Sequence, residues 1–164
     1  MKTACILAVS VLFPFTCPLF ITAKLPSPCR DDTEKIEKVI SSSIGWAKEK
    51  DTALLFSAIA HDTSFFIFHP DSRSTIRGYP MFHDFAIRSW LRPEFKATGF
   101  RIKELRINIA GSGDVAWFSC LLDDFGEWNG QKSGWENCRW TGVLEKRDTR
   151  WVIVQMHFSF PKDI

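Results

Sequence analysis

The chain has 164 residues, of which 45% are hydrophobic and 24% are charged, and this composition is ordinary for one globular domain. Its formal net charge of +2 gives no electrostatic basis for binding nucleic acid or an anionic membrane surface, so neither partner is expected. The unusual feature is the content of 15 phenylalanines and seven tryptophans, which predicts an aromatic-lined cavity or interface.

Residues 1–23 have the pattern of a secretory signal peptide. Lys2 supplies a positive start, an uncharged apolar stretch follows, and the small residue Ala23 ends the segment. The stretch is short for a membrane span and is interrupted by prolines, and a lipid anchor on Cys17 is the weaker alternative. We therefore expect a secreted or periplasmic protein that has no membrane contact after cleavage, with a lead-in segment over residues 24–30 and one domain over residues 31–164.

The cysteines and the missing motifs argue against a cofactor. Cleavage after Ala23 leaves Cys29, Cys120 and Cys138, and an odd number does not favour a disulfide framework. The sequence has no CxxC pair, HExxH motif, glycine-rich phosphate loop or GxSxG elbow. We expect neither a metal site nor a nucleotide cofactor.

The first half of the chain predicts three helices and one strand. Asp31, followed by a glutamate three residues later, is typical of a capping box that begins the first helix. Asp51 caps a second, shorter helix, and residues 63–69 have the composition of a strand. A third helix begins at Gly78 and ends before Pro93.

The second half of the chain predicts four long strands. The apolar residues change parity near Lys103, which indicates a β-bulge, and Asn129-Gly130 is a strong hairpin signal. Helices that lie on one side of an antiparallel sheet make this an α+β fold. The first of the four strands begins at Phe95. The other three are predicted over residues 115–127, 135–146 and 151–160.

Hairpin turns predict which residues face each other across the late strands. A turn centred on Asn129 places Cys120 opposite Cys138, either as two buried thiols or as a strained cross-strand disulfide. A second turn, centred on Asp148, places Arg139 opposite His157.

The two faces of these strands differ in polarity. The apolar parity is expected to carry no ionisable group except cysteines, and Asp123 and Asp124 are interpreted as a charged strand end. The opposite parity carries Ser119, Arg139, Gln155 and His157. This polar set forms either an active site, if it lines a cavity, or hydrogen bonds at a dimer interface.

The motifs resemble SnoaL-like domains of the nuclear transport factor 2-like superfamily. The resemblance rests on residues 139–159 (RWTGVLEKRDTRWVIVQMHFS), residues 60–65 (AHDTSF), residues 113–117 (GDVAW) and the order of the elements. It implies a cone in which a curved, mostly antiparallel sheet wraps around three N-terminal helices. It also implies an apolar pocket in the cone and a dimer interface on the outer sheet face, where Trp117, Thr141 and Ile153 are expected.

Ketosteroid isomerases, which have this fold, place an aspartate base directly before a proline. The matching pair here is His69-Pro70, so the resemblance implies His69 as acid or base, with His157 as the alternative. The isomerases also use a tyrosine of the first helix, where Ser43 or Ile44 stands in this chain. Their protonated carboxylic acid has no clear equivalent at residues 140–142.

The association domain of calcium/calmodulin-dependent kinase II also resembles this chain, and it lines its pocket with arginines. The matching positions are Leu122, Gly142 and Phe158, which are uncharged, so an anionic ligand is not expected. We expect an exported homodimer that binds a small apolar molecule; the alternative is a cofactor-independent isomerase, dehydratase or cyclase that uses a histidine. The predicted ligand-binding residues are Trp46, Phe118, Cys120, Leu122, Trp140 and Phe158.

Overall fold

The computed structural model describes residues 28–71 and 75–161, so the predicted signal peptide lies outside the described residues. Helices α1 and α2 come first, followed by two short strands, helix α3 and a π-helical turn, and then four long strands. Their bounds are α1 Pro28–Glu49, α2 Thr52–Ser57, β1 Phe66–Phe68, β2 Ile76–Arg77, α3 Gly78–Phe85, the π-helical turn Ala86–Trp90, β3 Phe95–Ile109, β4 Val115–Trp128, β5 Gln131–Arg147 and β6 Arg150–Ser159.

The six strands form one sheet in the order β2-β1-β6-β5-β4-β3. All neighbours are antiparallel except β1 and β6, which are parallel. Helix α1 packs on β3 and β6, and one hydrophobic core lies between the helices and the inner face of the sheet. The predicted α+β fold, with three helices on a curved and mostly antiparallel sheet, is confirmed.

Helix α1 begins earlier than its capping pattern predicts. It begins at Pro28, so Asp31 lies within the helix and does not cap it. The next residue, Asp32, accepts hydrogen bonds from Lys146 Nζ at 2.6 Å and from Trp151 Nε1 at 3.2 Å. These bonds lower the pKa of Asp32, the bond from Lys146 most strongly, and they attach α1 to the last two strands.

The predicted start of α2 and the predicted bulge in β3 are both confirmed. The Asp51 carboxylate accepts a hydrogen bond from Leu54 N at 2.9 Å, as an N-cap residue does. The register of β3 against β4 shifts between Lys103 and Arg106, where Glu104 has a φ of 55°. The bulge adds twist to β3 and bends it.

The register of the first long hairpin differs from the prediction. Cys120 lies opposite Trp140, and Cys138 lies opposite Leu122, because the turn centres after Asn129 and a bulge further shifts the pairing. Both cysteines are free and buried, so the alternative of a cross-strand disulfide is wrong. Burial raises the pKa of Cys120 to about 12 and that of Cys138 to about 11.

The second hairpin is shifted in the same way. His157 lies opposite Thr141, and Arg139 lies opposite Ser159, so the predicted Arg139–His157 pair does not form. A bulge in β6 also changes the parity of that strand. Ile153, which was expected on the outer face, is therefore fully buried on the inner face.

Candidate binding cavity

A cavity of about 800 Å³ lies between the helices and the inner face of the sheet. Helix α1 and the π-helical turn form one side, and strands β4, β5 and β6 form the other. Nine of the described lining residues are phenylalanine or tryptophan. The aromatic side chains that line it are Trp46, Phe82, Phe85, Trp90, Phe95, Trp128, Trp135, Phe158 and Phe160.

Two of the six predicted ligand-binding residues line this cavity. Trp46 contributes from α1, and Phe158 contributes from β6. The other four, Phe118, Cys120, Leu122 and Trp140, are buried on the same inner face but belong to the hydrophobic core. Phe118 and Trp140 pack edge to face with ring centroids 5.0 Å apart.

Core packing also explains why the arginine positions of the association domain cannot be charged here. A Cβ atom on Gly142 would lie 2.5 Å from the Phe118 ring and 2.7 Å from the Gln155 carbonyl oxygen. Leu122 and Phe158 are buried in the same core. Apolar packing therefore fills positions 122 and 142 and leaves no space there for a guanidinium group.

His69 lies at the end of β1 and lines the cavity. Its ring stacks on Phe158 with a centroid distance of 5.5 Å and an interplanar angle of 7°. Trp135 lies 6.1 Å from it, Trp90 6.2 Å and Phe85 6.3 Å, each measured between ring centroids. Four aromatic rings, from α3, the π-helical turn, β5 and β6, therefore surround this imidazole.

His157 lies on the opposite side of the sheet. Its side chain is exposed on the outer face, where its ring lies 6.0 Å from Phe68. Ser119, Thr141 and Arg139 are also exposed on that face. The structure thus separates the two candidate histidines, with His69 at the cavity and His157 on the outer surface.

Asp124 is a residue that the sequence analysis missed. It lines the cavity from β4, so the expectation that the inner parity carries no ionisable group except cysteines is wrong. The side chain is half-buried, and burial raises the pKa of Asp124 to about 6. Within the described part of the chain, no group donates a hydrogen bond to this carboxylate. Its even number, in step with Leu122 and Cys120, was the signal that could have identified it.

The backbone around Asp124 is fixed on both sides. The preceding residue, Asp123, accepts hydrogen bonds from Lys103 Nζ at 2.7 Å and from Asn137 N at 2.8 Å. The bond from Lys103 is the main reason why the pKa of Asp123 is lowered. On the paired strand, Gly134 has a φ of 137°, and a Cβ atom there would lie 2.1 Å from the Asp124 carbonyl oxygen. The Asp123 carboxylate thus has hydrogen-bond donors that lower its pKa, whereas burial raises the pKa of the neighbouring Asp124.

The remaining polar groups of the cavity are few. Ser43 is buried, and its hydroxyl donates to the Ile40 carbonyl at 2.8 Å. Ser89, Ser133 and Asp71 also line the cavity. Among the described residues of the wall there is no lysine or arginine.

Over residues 28–71 and 75–161, no group of three or more His, Cys, Asp or Glu side chains is arranged to hold a metal ion. None of the helices in that part of the chain combines the length and apolar character that crossing a membrane requires.

The model of the SnoaL-like domain family matches residues 36–163 of the sequence. No curated protein matches the sequence with statistical significance. A nuclear transport factor 2-like superfamily protein from Salmonella enterica serovar Typhimurium is similar in structure, with a TM-score of 0.70 and 20% identity, covering 82% of this chain and 94% of its own.

Two further solved structures are similar. A provisionally assigned dehydratase of the nuclear transport factor 2-like family from Streptomyces avermitilis has a TM-score of 0.66 and 14% identity, covering 82% of this chain and 99% of its own. The association domain of calcium/calmodulin-dependent kinase II from C. elegans has a TM-score of 0.60 and 21% identity, covering 80% of this chain and 97% of its own. At these identities the similarity concerns the fold alone.

Proposed function

Because this chain belongs to the SnoaL-like domain family, which includes isomerases, dehydratases and ligand-binding proteins, we propose that its cavity binds a small and largely apolar molecule. The observation that carries the proposal is an aromatic-walled cavity of about 800 Å³. Sites for small organic molecules are concave, mostly apolar and typically about 300–1,000 Å³ in volume. His69 and Asp124 supply the few polar groups that orient a ligand.

A neutral fluorescent probe, N-phenylnaphthylamine, tests this proposal. We expect saturable binding to the wild-type protein and its loss in Ala47→Phe, which places a ring in the cavity. The matched control is Ala53→Phe on α2, where the side chain is exposed and lies outside the cavity lining. Binding that Ala47→Phe leaves unchanged would overturn the proposal, since the probe would then occupy another surface.

Acid–base catalysis is a second candidate function. The presence of both Asp124 and His69 in the lining of one cavity favours it. A carboxyl group whose pKa is about 6 exchanges protons near neutral pH, as does an ordinary imidazole. We expect deuterium from the solvent to enter the position next to the carbonyl of a β,γ-unsaturated cyclic ketone. The exchange should be lost in Asp124→Asn and retained in His157→Gln, whose side chain lies on the outer face. Equal exchange without protein would remove this candidate.

We also propose that the protein forms a homodimer through its outer sheet face. Trp117 is 48% exposed there, beside the exposed Thr141 and His157. Similar folds include the association domain of a kinase, as its name states. Trp117→Glu should convert a dimer to a monomer in light scattering, whereas Ile87→Glu, on the helical side and equally exposed, should not. A wild-type monomer at micromolar concentration would contradict the proposal.

Export of the protein remains a proposal that rests on the sequence. Residues 1–23 have the charge and apolar pattern of a signal peptide, and Lys24 follows directly. We expect Lys24 or a neighbour to be the N-terminus of protein recovered from the periplasm or the medium. Intact Met1 on protein from the cytoplasm, found by N-terminal sequencing, would contradict export.

A further inference from the structure

We propose that the ligand of this cavity is an organic cation: an amine or quaternary ammonium group on an apolar body, with its positive charge beside Asp124. The inference rests on the proposed binding function and adds the chemical class of the ligand. Two independent features of the cavity carry it, the charge of its wall and the type of its aromatic rings.

The charge of the wall favours a cation. Asp124 is half-buried in the cavity wall, and no described residue supplies it with a hydrogen bond or an opposite charge. The described residues of the wall include no lysine or arginine. Because a desolvated carboxylate is unfavourable without a partner, a bound cation would supply the missing counter-charge. An anionic ligand would add repulsion to that desolvation.

The aromatic rings favour the same ligand. Four of the seven tryptophans, Trp46, Trp90, Trp128 and Trp135, line the cavity. The negative face of an aromatic ring attracts a cation, and the indole of tryptophan does so more strongly than phenol or benzene rings. Quaternary ammonium groups suit such walls because they bind without requiring hydrogen-bond acceptors. A neutral apolar ligand would contact the same rings but would leave Asp124 without a partner.

A pair of isosteric probes separates this inference from the proposed binding function. Phenyltrimethylammonium and tert-butylbenzene have the same shape. They differ at one atom, which is a positively charged nitrogen in the first and a neutral carbon in the second. We expect the cation to bind the wild-type protein at pH 8 at least about tenfold more tightly, a difference of about 1.4 kcal/mol. Cation–π contacts have free energies of this order. Affinities are to be measured by NMR titration of the backbone amides.

Asp124→Asn tests the role of the carboxylate in the same titration. The substitution keeps the size of the side chain and removes its charge, so the preference for the cation should fall at least about fivefold while tert-butylbenzene binds as before. His157→Gln, on the outer face, is the matched control and should leave the preference unchanged. Lower pH should also weaken binding of the cation, because protonation of Asp124 removes its negative charge from the wall.

The outcomes distinguish the two proposals. If neither probe binds, the proposed binding function fails and the inference fails with it. If tert-butylbenzene binds as tightly as phenyltrimethylammonium, the cavity is a binding site but the inference of a cationic ligand is wrong. A preference for the cation that Asp124→Asn leaves intact would also overturn the inference, since the carboxylate would then have no role in it.

Discussion

Asp124→Asn should stabilise the folded protein at neutral pH. In the folded state the pKa of Asp124 rises from the ordinary value of 3.8 to about 6, because burial disfavours the charged form. One pKa unit corresponds to about 1.4 kcal/mol, so the ionised carboxylate destabilises the fold by as much as about 3 kcal/mol at pH 8. Because the side chain is only half-buried and asparagine also loses solvent contacts, we expect a gain of about 1–3 kcal/mol.

The gain depends on pH in a defined direction. The folded protein binds the Asp124 proton more tightly than the unfolded chain, so this group lowers stability as the pH rises from about 4 to about 6. The destabilisation is complete above that range and absent below it. Asp124→Asn should therefore be more stable than the wild type at pH 8 and close to it at pH 4.

Urea denaturation at pH 4 and pH 8, followed by tryptophan fluorescence, measures both free energies of unfolding. Asp123→Asn is the control from the neighbouring position. Asp123 is only 5% exposed, and its hydrogen bond from Lys103 lowers its pKa, so this substitution should destabilise the protein at pH 8. A loss of stability in Asp124→Asn at pH 8 would refute the reasoning, because the carboxylate would then have a stabilising partner.

Three further predictions concern the packing around the cavity. Gly142→Ala should lower the free energy of unfolding by about 1–3 kcal/mol in the same urea assay, because the added methyl group collides with a ring and a carbonyl oxygen; an unchanged midpoint would contradict the packing. Gly134→Ala should be destabilising and should weaken probe binding, because its backbone conformation and its contact with the neighbouring strand exclude a side chain; wild-type binding would show that this strand contact does not shape the cavity. Cys120 and Cys138 should resist alkylation by iodoacetamide at pH 8 until urea is added, because burial raises the pKa of both thiols; mass spectrometry that finds either residue modified in the native protein would contradict their burial.

The sequence predicts the fold well because its signals are local or repeat along an element. The Asp51 cap and the parity change near Lys103 each report the conformation of their own segment, and both are confirmed. The family resemblance then gives the arrangement of those elements. What the sequence does not specify is the register between long strands, since one unpaired residue shifts every later pair. Ile153 lies on the inner face for this reason.

The site is less predictable than the fold. His69 could be identified because the family resemblance matches the Asp-Pro pair of ketosteroid isomerases to His69-Pro70, and the structure places His69 in the cavity wall. Asp124 was interpreted as part of a charged strand end because an aspartate precedes it. The two residues point to opposite faces of β4, where Asp123 meets a lysine and a backbone amide and Asp124 meets the cavity. Such partners come from distant positions, so they are visible only in three dimensions.

An NMR titration of the Asp124 carboxyl carbon, with and without phenyltrimethylammonium, tests most directly whether this carboxylate binds a cation. We expect a pKa of about 6 for the protein alone, because the carboxylate is partly desolvated in the cavity. We expect a lower pKa when the cation is bound, because the positive charge stabilises the ionised form. A pKa near 3.8 without the cation, or a pKa that saturating cation leaves unchanged, would contradict the proposed role of Asp124.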